Sequence, residues 1–401
     1  MKRKRILVCS HWLEIGGAER ALVGLLECLS KSKYDVDLFL CRHTGELFDC
    51  IPDHIHLLPE DVNAASIAVP LKSALRRGAL SVVLGRLLAK FKANQLLRKH
   101  PAKDSNVPIE YSHLYTYRNV HMIGEKTPYD LVLSFQEPHY IAAYRTRAKA
   151  KIAWIHTDYQ AISVDPVEGL KVWSQFDYIA AISKRCADLF SKLYPSLTDR
   201  IILVENILSV DLTHIQAQES CALKEMPDDG SIRLLSIGRF CTAKNYDNVP
   251  DICAKLVALG LNVKWYIIGF GSDETLIRRK IAEAHMEERV FLLGKKENPY
   301  PYIKACDLYV QPSRYEGKAV TVREAQMLGK PVVITRYATS ASQLEDGVDG
   351  IIVPMDNEGC AAGIATLLRN PEKVRQLSEN CKARDYSNAR EVEKLYKLME
   401  D

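Results

Sequence analysis

The stretch DLYVQPSRYEGKAVTVREAQMLGKPVVIT, residues 307–335, decides the fold class. Its apolar runs DLYVQP (307–312) and PVVIT (331–335) predict two strands. Between them a polar loop around Glu316-Gly317 leads into a helical stretch from about 318 to 328. Strands joined by a helix that packs back on the sheet run parallel. A parallel sheet is covered by helices on both faces.

The same alternation extends outward. Upstream lie IRLLSIG (232–238), a helix over 246–259, VKWYIIG (263–269), a helix over 272–285 and RVFLLG (289–294), and closing helices run from 358 to 400. The first half repeats it with RILVCS (5–10), a Gly-Gly turn, AERALVGLLECLSK (18–31), YDVDLFLC (34–41), YDLVLSF (129–135), AKIAWIH (150–156), DYIAAIS (177–183) and RIILVEN (200–206). Between 207 and 231 the sequence turns polar and loses any sustained apolar period, which predicts a linker. The expected architecture is α/β, with two Rossmann-like parallel-sheet domains of similar size. Residues 1–206 form the first and 232–385 the second, and a closing helix over 386–401 packs back on the first. Two such sheets facing each other enclose a cleft at the carboxyl ends of their strands, where ligands of these folds bind.

Composition narrows the function. A chain of 401 residues, 47% apolar and 26% charged, is an ordinary globular one. No run of about 18 apolar residues predicts a membrane span. The basic start MKRKRILVCSH has too short an apolar part for a signal peptide. The eleven cysteines are odd in number, scattered and without a C-x-x-C pair. That argues against a disulfide framework and a zinc site, and for a reduced, cytoplasmic compartment. The net charge of +4 is too small to point to nucleic acid. It is uneven, however: residues 1–205 carry 28 Lys and Arg against 22 Asp and Glu, and the remainder 26 against 28.

Chemistry concentrates after two strands of the second half. Glu316 and Glu324 stand eight residues apart, ~12 Å along a helix. Gly317 permits close approach of a ligand to the backbone, and the helix beginning near Ala319 offers free N–H groups to a phosphate. Carboxylates on either side of an anion site suit a nucleotide-diphosphate sugar, whose sugar and ribose both present paired hydroxyls. Two surface glutamates at a helix start, where acids are favoured anyway, is the plainer alternative. In GRFCTAKN (238–245), Arg239 and Lys244 follow a strand directly and supply cations for a diphosphate.

Together these elements resemble the retaining glycosyltransferases of family 4, glycosyl transferases group 1, which have the two-domain GT-B fold. The motifs are Glu316-x7-Glu324, Gly238-Arg239, Lys244-Asn245 and Gly329-Lys330-Pro331, with GGAER (16–20), VENI (204–207), YIIGFGSDE (266–274), LGKKENPYPYIKACDLYVQPSRYEG (293–317) and LEDGVDGIIVP (344–354). The resemblance runs from residue 5 to about 380 and is weakest between 43 and 128. It implies that Arg239 and Lys244 bind the donor diphosphate and stabilise it as a leaving group. Glu324 would hold the ribose, and Glu316 the transferred sugar. The backbone at Lys318, Ala319 and Val320 would complete the phosphate site, with Gly16 and Gly17 approaching from the other domain. Chain around Gly294, Lys295 and Lys296 would face the base. Lys318 departs from the apolar or aromatic residue usual after the glycine, which bears on the sugar contacts.

His156, ending AKIAWIH, matches a histidine that in similar enzymes lies near the reacting sugar; the plainer reading is a strand-end histidine bonded to backbone. His11, beside the glycine turn, is not assigned a role. Asp35-Val-Asp37 has the form of a metal-binding D-x-D, but it lies on a predicted strand whose alternate polar residues face solvent. With Arg and Lys on the diphosphate, neither a metal nor another cofactor is required.

Residues 62–103 hold nine Lys and Arg and no carboxylate. Within 68–100, apolar residues recur near the helical period among Lys72, Arg76, Arg77, Arg86, Lys90, Lys92, Arg98 and Lys99, with Gly78 and Gly85 as potential breaks. Such a segment can lie on an anionic bilayer. The alternatives are a helix packed on the sheet with its cations in water, or a nucleic-acid contact, although no nucleic-acid partner is expected. The overall expectation is a cytoplasmic, membrane-peripheral transferase that moves a hexose from a UDP-sugar to a saccharide or lipid-linked acceptor in surface-polysaccharide synthesis. A sugar-nucleotide epimerase or hydrolase, or an idle partner protein on the same scaffold, are the rivals.

Overall fold

The computed structural model describes residues 3–14, 16–99, 105–156, 159, 163–218, 222–316 and 319–399. The chain divides into two compact units, one of Met1–Ile207 with Asn388–Asp401, the other of Leu208–Ser387.

The first unit is built on seven strands, β1 (Lys4–Ser10), β2 (Tyr34–Leu40), β3 (His56–Leu57), β4 (Tyr129–Ser134), β5 (Ala148–Ile155), β6 (Tyr178–Ala181) and β7 (Ile201–Leu203). They lie in the order β3-β2-β1-β4-β5-β6-β7, all parallel. Ile6, Leu7 and Val8 are fully buried, as are Leu131, Val132 and Leu133 beside them. Residues on both faces of these strands are apolar because helices cover both, and each such side chain contributes about 1.5–3 kcal/mol on burial. The unit is completed from the far end of the sequence. Tyr396, on the helix Val392–Lys397, stacks on Tyr34 with ring centroids 4.5 Å apart, and its hydroxyl accepts from Ser30 N–H at 2.9 Å. Glu391 accepts from the N–H of Glu205 at 2.8 Å.

The second unit has six strands, β8 (Ile232–Ile237), β9 (Val263–Ile268), β10 (Val290–Gly294), β11 (Leu308–Gln311), β12 (Val332–Thr335) and β13 (Ile351–Val353). Their order is β10-β9-β8-β11-β12-β13, again all parallel. Both sheets are Rossmann-like, as the alternation of strand and helix predicts. The stretch 207–231, read as a linker, instead carries the helix Val210–Gln216 and the short turn of helix Ala222–Glu225, both within this unit. Ala217 and Met226 anchor them in its core. Those two apolar residues are too far apart in sequence to register as a period.

Asp35 and Asp37 lie on β2 as expected and are engaged by protein groups. Asp37 accepts from Tyr129 OH at 2.6 Å and Arg5 Nη2 at 3.1 Å and contacts His56 Nδ1 at 2.7 Å, while Asp35 pairs with Arg3. All ten described cysteines are free. Among the described residues no helix is long and apolar enough to cross a membrane.

Candidate functional site

In a sheet of order β10-β9-β8-β11-β12-β13, the connections from β8 and from β11 run toward opposite edges. That makes the carboxyl ends of β8 and β11 the place where a crevice opens. Arg239 and Lys244 follow β8; Glu316 follows β11. The structure brings Lys244 and Glu316 together: Lys244 Nζ donates to Glu316 Oε1 at 2.5 Å. Ser313 Oγ donates to the same oxygen at 2.6 Å and Gln311 Nε2 at 3.2 Å. Three donors thus fix Oε1, and Oε2 takes no hydrogen bond among the described residues. Gln311 is itself oriented by Tyr309 OH, which donates to its Oε1 at 2.8 Å.

The two loops are also tied by an ion pair that the sequence reading missed. Arg314 grips Asp247 with both terminal nitrogens, at 2.9 and 2.7 Å, and donates to Thr242 O at 2.7 Å. A fork of this kind holds a fixed geometry, so it ties the Lys244 loop to the Glu316 loop. Asn245, at φ 61°, turns the chain after Lys244, a left-handed conformation that asparagine tolerates. Gly238 leaves room for the lysine stem: a Cβ there would lie 3.0 Å from Lys244 Cε and 2.9 Å from Tyr246 OH. Arg239 is exposed and makes no hydrogen bond or ion pair among the described residues, so its guanidinium is available to a ligand.

The helix Val320–Met327 starts from Ala319, whose N–H donates to Gln343 Oε1 at 2.7 Å and whose carbonyl accepts from Gln343 Nε2 at 3.2 Å. Thr339 Oγ1 donates to Glu316 O at 2.7 Å, so the segment from β12 holds the loop from below. Gly317 and Lys318 lie outside the described residues. Val320 opens the helix, and Glu324 sits one turn on, 1% exposed, accepting from Tyr300 OH at 2.9 Å. Glu324 is therefore not one of a pair of surface glutamates; it is held inside the unit.

Gly294 ends β10 at φ 71° and its carbonyl accepts from Gly269 N–H at 2.9 Å. Lys295 is exposed, whereas Lys296 donates to Glu225 Oε1 at 2.7 Å and lies over the Tyr302 ring. Gly269 and Gly271 let the loop after β9 run against that after β8. A Cβ on Gly269 would lie 1.9 Å from Gly238 O, and one on Gly271 2.3 Å from Phe240 O.

The first unit has its own crevice at the ends of β1 and β4. Gly16 caps the helix Gly17–Cys28, and its missing side chain admits Glu19, whose Oε2 would be 2.1 Å from a Cβ. Ser10 Oγ donates to Gln136 Oε1 at 2.6 Å, and Gln136 Nε2 to Glu19 Oε1 at 2.8 Å. His156, just past β5, packs on Phe135 with rings 4.6 Å apart, and its Nε2 is shielded from solvent without a hydrogen-bond partner among the described residues. Desolvation lowers its pKa to about 4, so it is neutral near pH 7. His11 behaves alike, with a pKa of about 4, and its ring lies 5.0 Å from that of His113. Desolvation, followed by repulsion among these rings, holds His113 and His139 well below the usual histidine range. Two acids in the same unit shift the other way: burial raises Glu110 to about 8 and Glu137 to about 7.

Of the eight cations in the 68–100 segment, one proves structural. Arg86 Nη1 donates to Ser66 O at 3.0 Å and to Val69 O at 2.5 Å, turning inward to satisfy two carbonyls. Arg77 pairs with Glu60 at 3.0 Å. Lys72, Arg76, Lys90, Lys92, Arg98 and Lys99 are exposed.

Residues 223–384 match the family model for glycosyl transferases group 1. Over 176 residues the chain is 31% identical to the N-acetylgalactosamine-N,N'-diacetylbacillosaminyl-diphospho-undecaprenol 4-alpha-N-acetylgalactosaminyltransferase of Campylobacter jejuni, covering 43% of this chain and 46% of that protein. It is 30% identical over 145 residues to the amylovoran biosynthesis glycosyltransferase AmsK of Erwinia amylovora, covering 34% and 35%. The chain therefore spans about half, or less, of the length of these curated relatives. Among solved structures it resembles Anabaena HepE in complex with UDP-glucose, with a TM-score of 0.65 at 17% identity over 98% of this chain and 99% of that one. TarM gives a TM-score of 0.67 at 13% identity over 100% and 99%.

Proposed function

We propose that this chain, whose residues 223–384 form a glycosyl transferases group 1 domain, is a retaining glycosyltransferase that moves a hexose from a UDP-sugar to a saccharide or lipid-linked saccharide acceptor. The observation that carries this reading is the constellation at the switch point of the second sheet. Among the described residues, an arginine without a partner, a lysine and a glutamate with one oxygen free of hydrogen bonds stand after β8 and β11. In this reading Arg239 and Lys244 neutralise the diphosphate and stabilise it as it departs. Glu316 accepts hydrogen bonds from the sugar, and Glu324 orders the ribose. The two cations carry the leaving-group charge, so the reaction needs no metal.

Retention follows the front-face course that the resemblance implies. The departing diphosphate takes the acceptor proton, and Glu316 positions the sugar without attacking it, unlike the nucleophile of a retaining glycosidase. His156, neutral at pH 7, serves as a hydrogen-bonding group for the reacting sugars rather than as a cation. The similarity of Anabaena HepE, solved with UDP-glucose, supports a UDP-sugar donor. The curated relatives, a diphospho-undecaprenol-linked saccharide transferase and an amylovoran transferase, support a saccharide acceptor in glycan biosynthesis.

The test is a screen of UDP-, GDP- and ADP-sugars against saccharide and lipid-linked acceptors, read by mass spectrometry and by anomeric coupling constants in the product. Transfer from a UDP-sugar with retained configuration is expected. Conversion of donor without any acceptor would replace the proposal with an epimerase or hydrolase.

A further inference from the structure

The helix Leu80–Lys99 presents two apolar faces, and only one of them is covered. Val82, Ala89 and Ala93 are buried against the first unit. Leu80, Leu84 and Phe91 are 61%, 68% and 65% exposed, and Leu87 and Leu88 are about half exposed. At 3.6 residues per turn, these five positions fall within one arc of about 100°, roughly 16 Å long, opposite the buried residues. Gly85 is what seats the other side. A Cβ there would lie 2.6 Å from Tyr115 O, so the glycine allows close packing and the helix runs through it unbroken.

An exposed row of four leucines and a phenylalanine is unusual on a protein surface with no covering partner. Its borders say what covers it. Lys90 and Lys92 project on either side of the row, and Arg98 and Lys99 stand at its carboxyl end. The preceding helix Leu71–Arg76 adds exposed Leu75 with Lys72 and Arg76. No carboxylate occurs between residues 62 and 103. Apolar side chains in line, flanked by cations and by no carboxylate, match a lipid surface with anionic headgroups, where the row enters the acyl boundary and the lysines remain among the phosphates.

We propose that this outward face of Leu80–Lys99 docks the first unit on an anionic bilayer, lying in the plane of the interface without crossing it. The docking depends on leucines, phenylalanine and lysines that take no part in the donor site, so it stands apart from the proposed transfer chemistry.

The experiment is co-sedimentation of the full chain with vesicles of phosphatidylcholine and phosphatidylglycerol, against phosphatidylcholine alone, across a salt series. Binding to the anionic vesicles that weakens as salt rises is expected. The double variant Leu84→Glu/Phe91→Glu should lose at least about tenfold in partitioning, with an unchanged melting temperature. Lys90→Ala/Lys92→Ala should lose roughly fivefold per lysine and flatten the salt dependence. Absence of vesicle binding at low salt would overturn the proposal, as would undiminished binding of the Leu84→Glu/Phe91→Glu variant. Sedimentation velocity without lipid supplies a further check. A dimer that this variant dissolves would assign the row to a second copy of the chain and likewise overturn it.

Discussion

Lys244 Nζ lies 2.5 Å from Glu316 Oε1, so the main cation and the main carboxylate of the candidate site neutralise each other. In the proposed function, a diphosphate entering the crevice would draw the lysine with a stronger charge. Glu316 keeps Ser313 and Gln311 as donors and remains oriented for a sugar. The two residues therefore differ in what their loss does. Removing Glu316 frees a cation that water and anions can satisfy, while removing Lys244 leaves a carboxylate held by two neutral donors.

UDP is expected to raise the melting temperature more than GDP or ADP does. Arg239→Ala should weaken that shift, with about 10- to 100-fold poorer UDP binding for the lost charge-assisted bonds. Its own stability should stay within about 0.5 kcal/mol of the parent, because Arg239 is exposed and has no partner among the described residues. Scanning calorimetry with each nucleotide measures both. Equal shifts from all three nucleotides would remove the uridine assignment.

Glu316→Ala is expected to abolish transfer while the fold persists, with the circular dichroism spectrum and the UDP-induced shift retained. Glu316→Gln should recover part of the sugar positioning and hence part of the activity. Full turnover by Glu316→Ala, read by product mass spectrometry, would remove the carboxylate from the mechanism.

Gly269→Ala should destabilise the second unit by more than about 2 kcal/mol, since backbone rather than a flexible side chain blocks its Cβ and φ is 153°. Gly17→Ala, where no atom of the described residues lies within 4 Å of the added Cβ, should be tolerated in the folded state. Urea unfolding of the two variants makes the comparison.

Stability of the first unit should depend on pH from both sides. His11 and His156 titrate at about 4 in the fold against an ordinary 6.5. As pH falls through that window the unfolded chain gains protons that the fold refuses, and stability drops. Glu110 and Glu137, at about 8 and 7 against an ordinary 4.5, keep protons that the unfolded chain releases. Their contribution is whole below 4.5 and is lost as pH rises toward 8. In urea titrations from pH 4 to 9, Glu110→Gln/Glu137→Gln should therefore gain on the parent as pH rises. A constant difference across the range would contradict the shifted acids.

Arg86→Ala should cost about 1–3 kcal/mol, because it strands the carbonyls of Ser66 and Val69. Vesicle binding should be unaffected once the protein is folded. Among the basic residues of its segment it is the one whose loss reads in the melting curve.

Much of this architecture was legible in the sequence, because long apolar strands separated by amphipathic helices have one economical arrangement. What escaped was short or assembled through space. The strands His56–Leu57 and Ile351–Val353 are too brief to show a period. The grip of Arg314 on Asp247 joins residues 67 positions apart, each of which reads alone as an ordinary loop charge. Gln311 and Ser313 did leave a trace, as polar residues ending an apolar strand, but their convergence on one glutamate oxygen is a property of the fold. The two glycines of the basic segment look alike in sequence. Gly78, at φ 76°, does end a helix, whereas Gly85 lies inside one for the sake of contact.

Tyr396 stacked on Tyr34 has a consequence for how the protein is made. The first unit needs residues 388–401, which leave the ribosome after the whole of the second. The unit begun first is thus closed by a segment that follows the whole of the second unit in the chain. A chain cut short before Asn388 would contain every strand of both sheets yet leave Tyr34 without its stacking partner and the first unit unclosed.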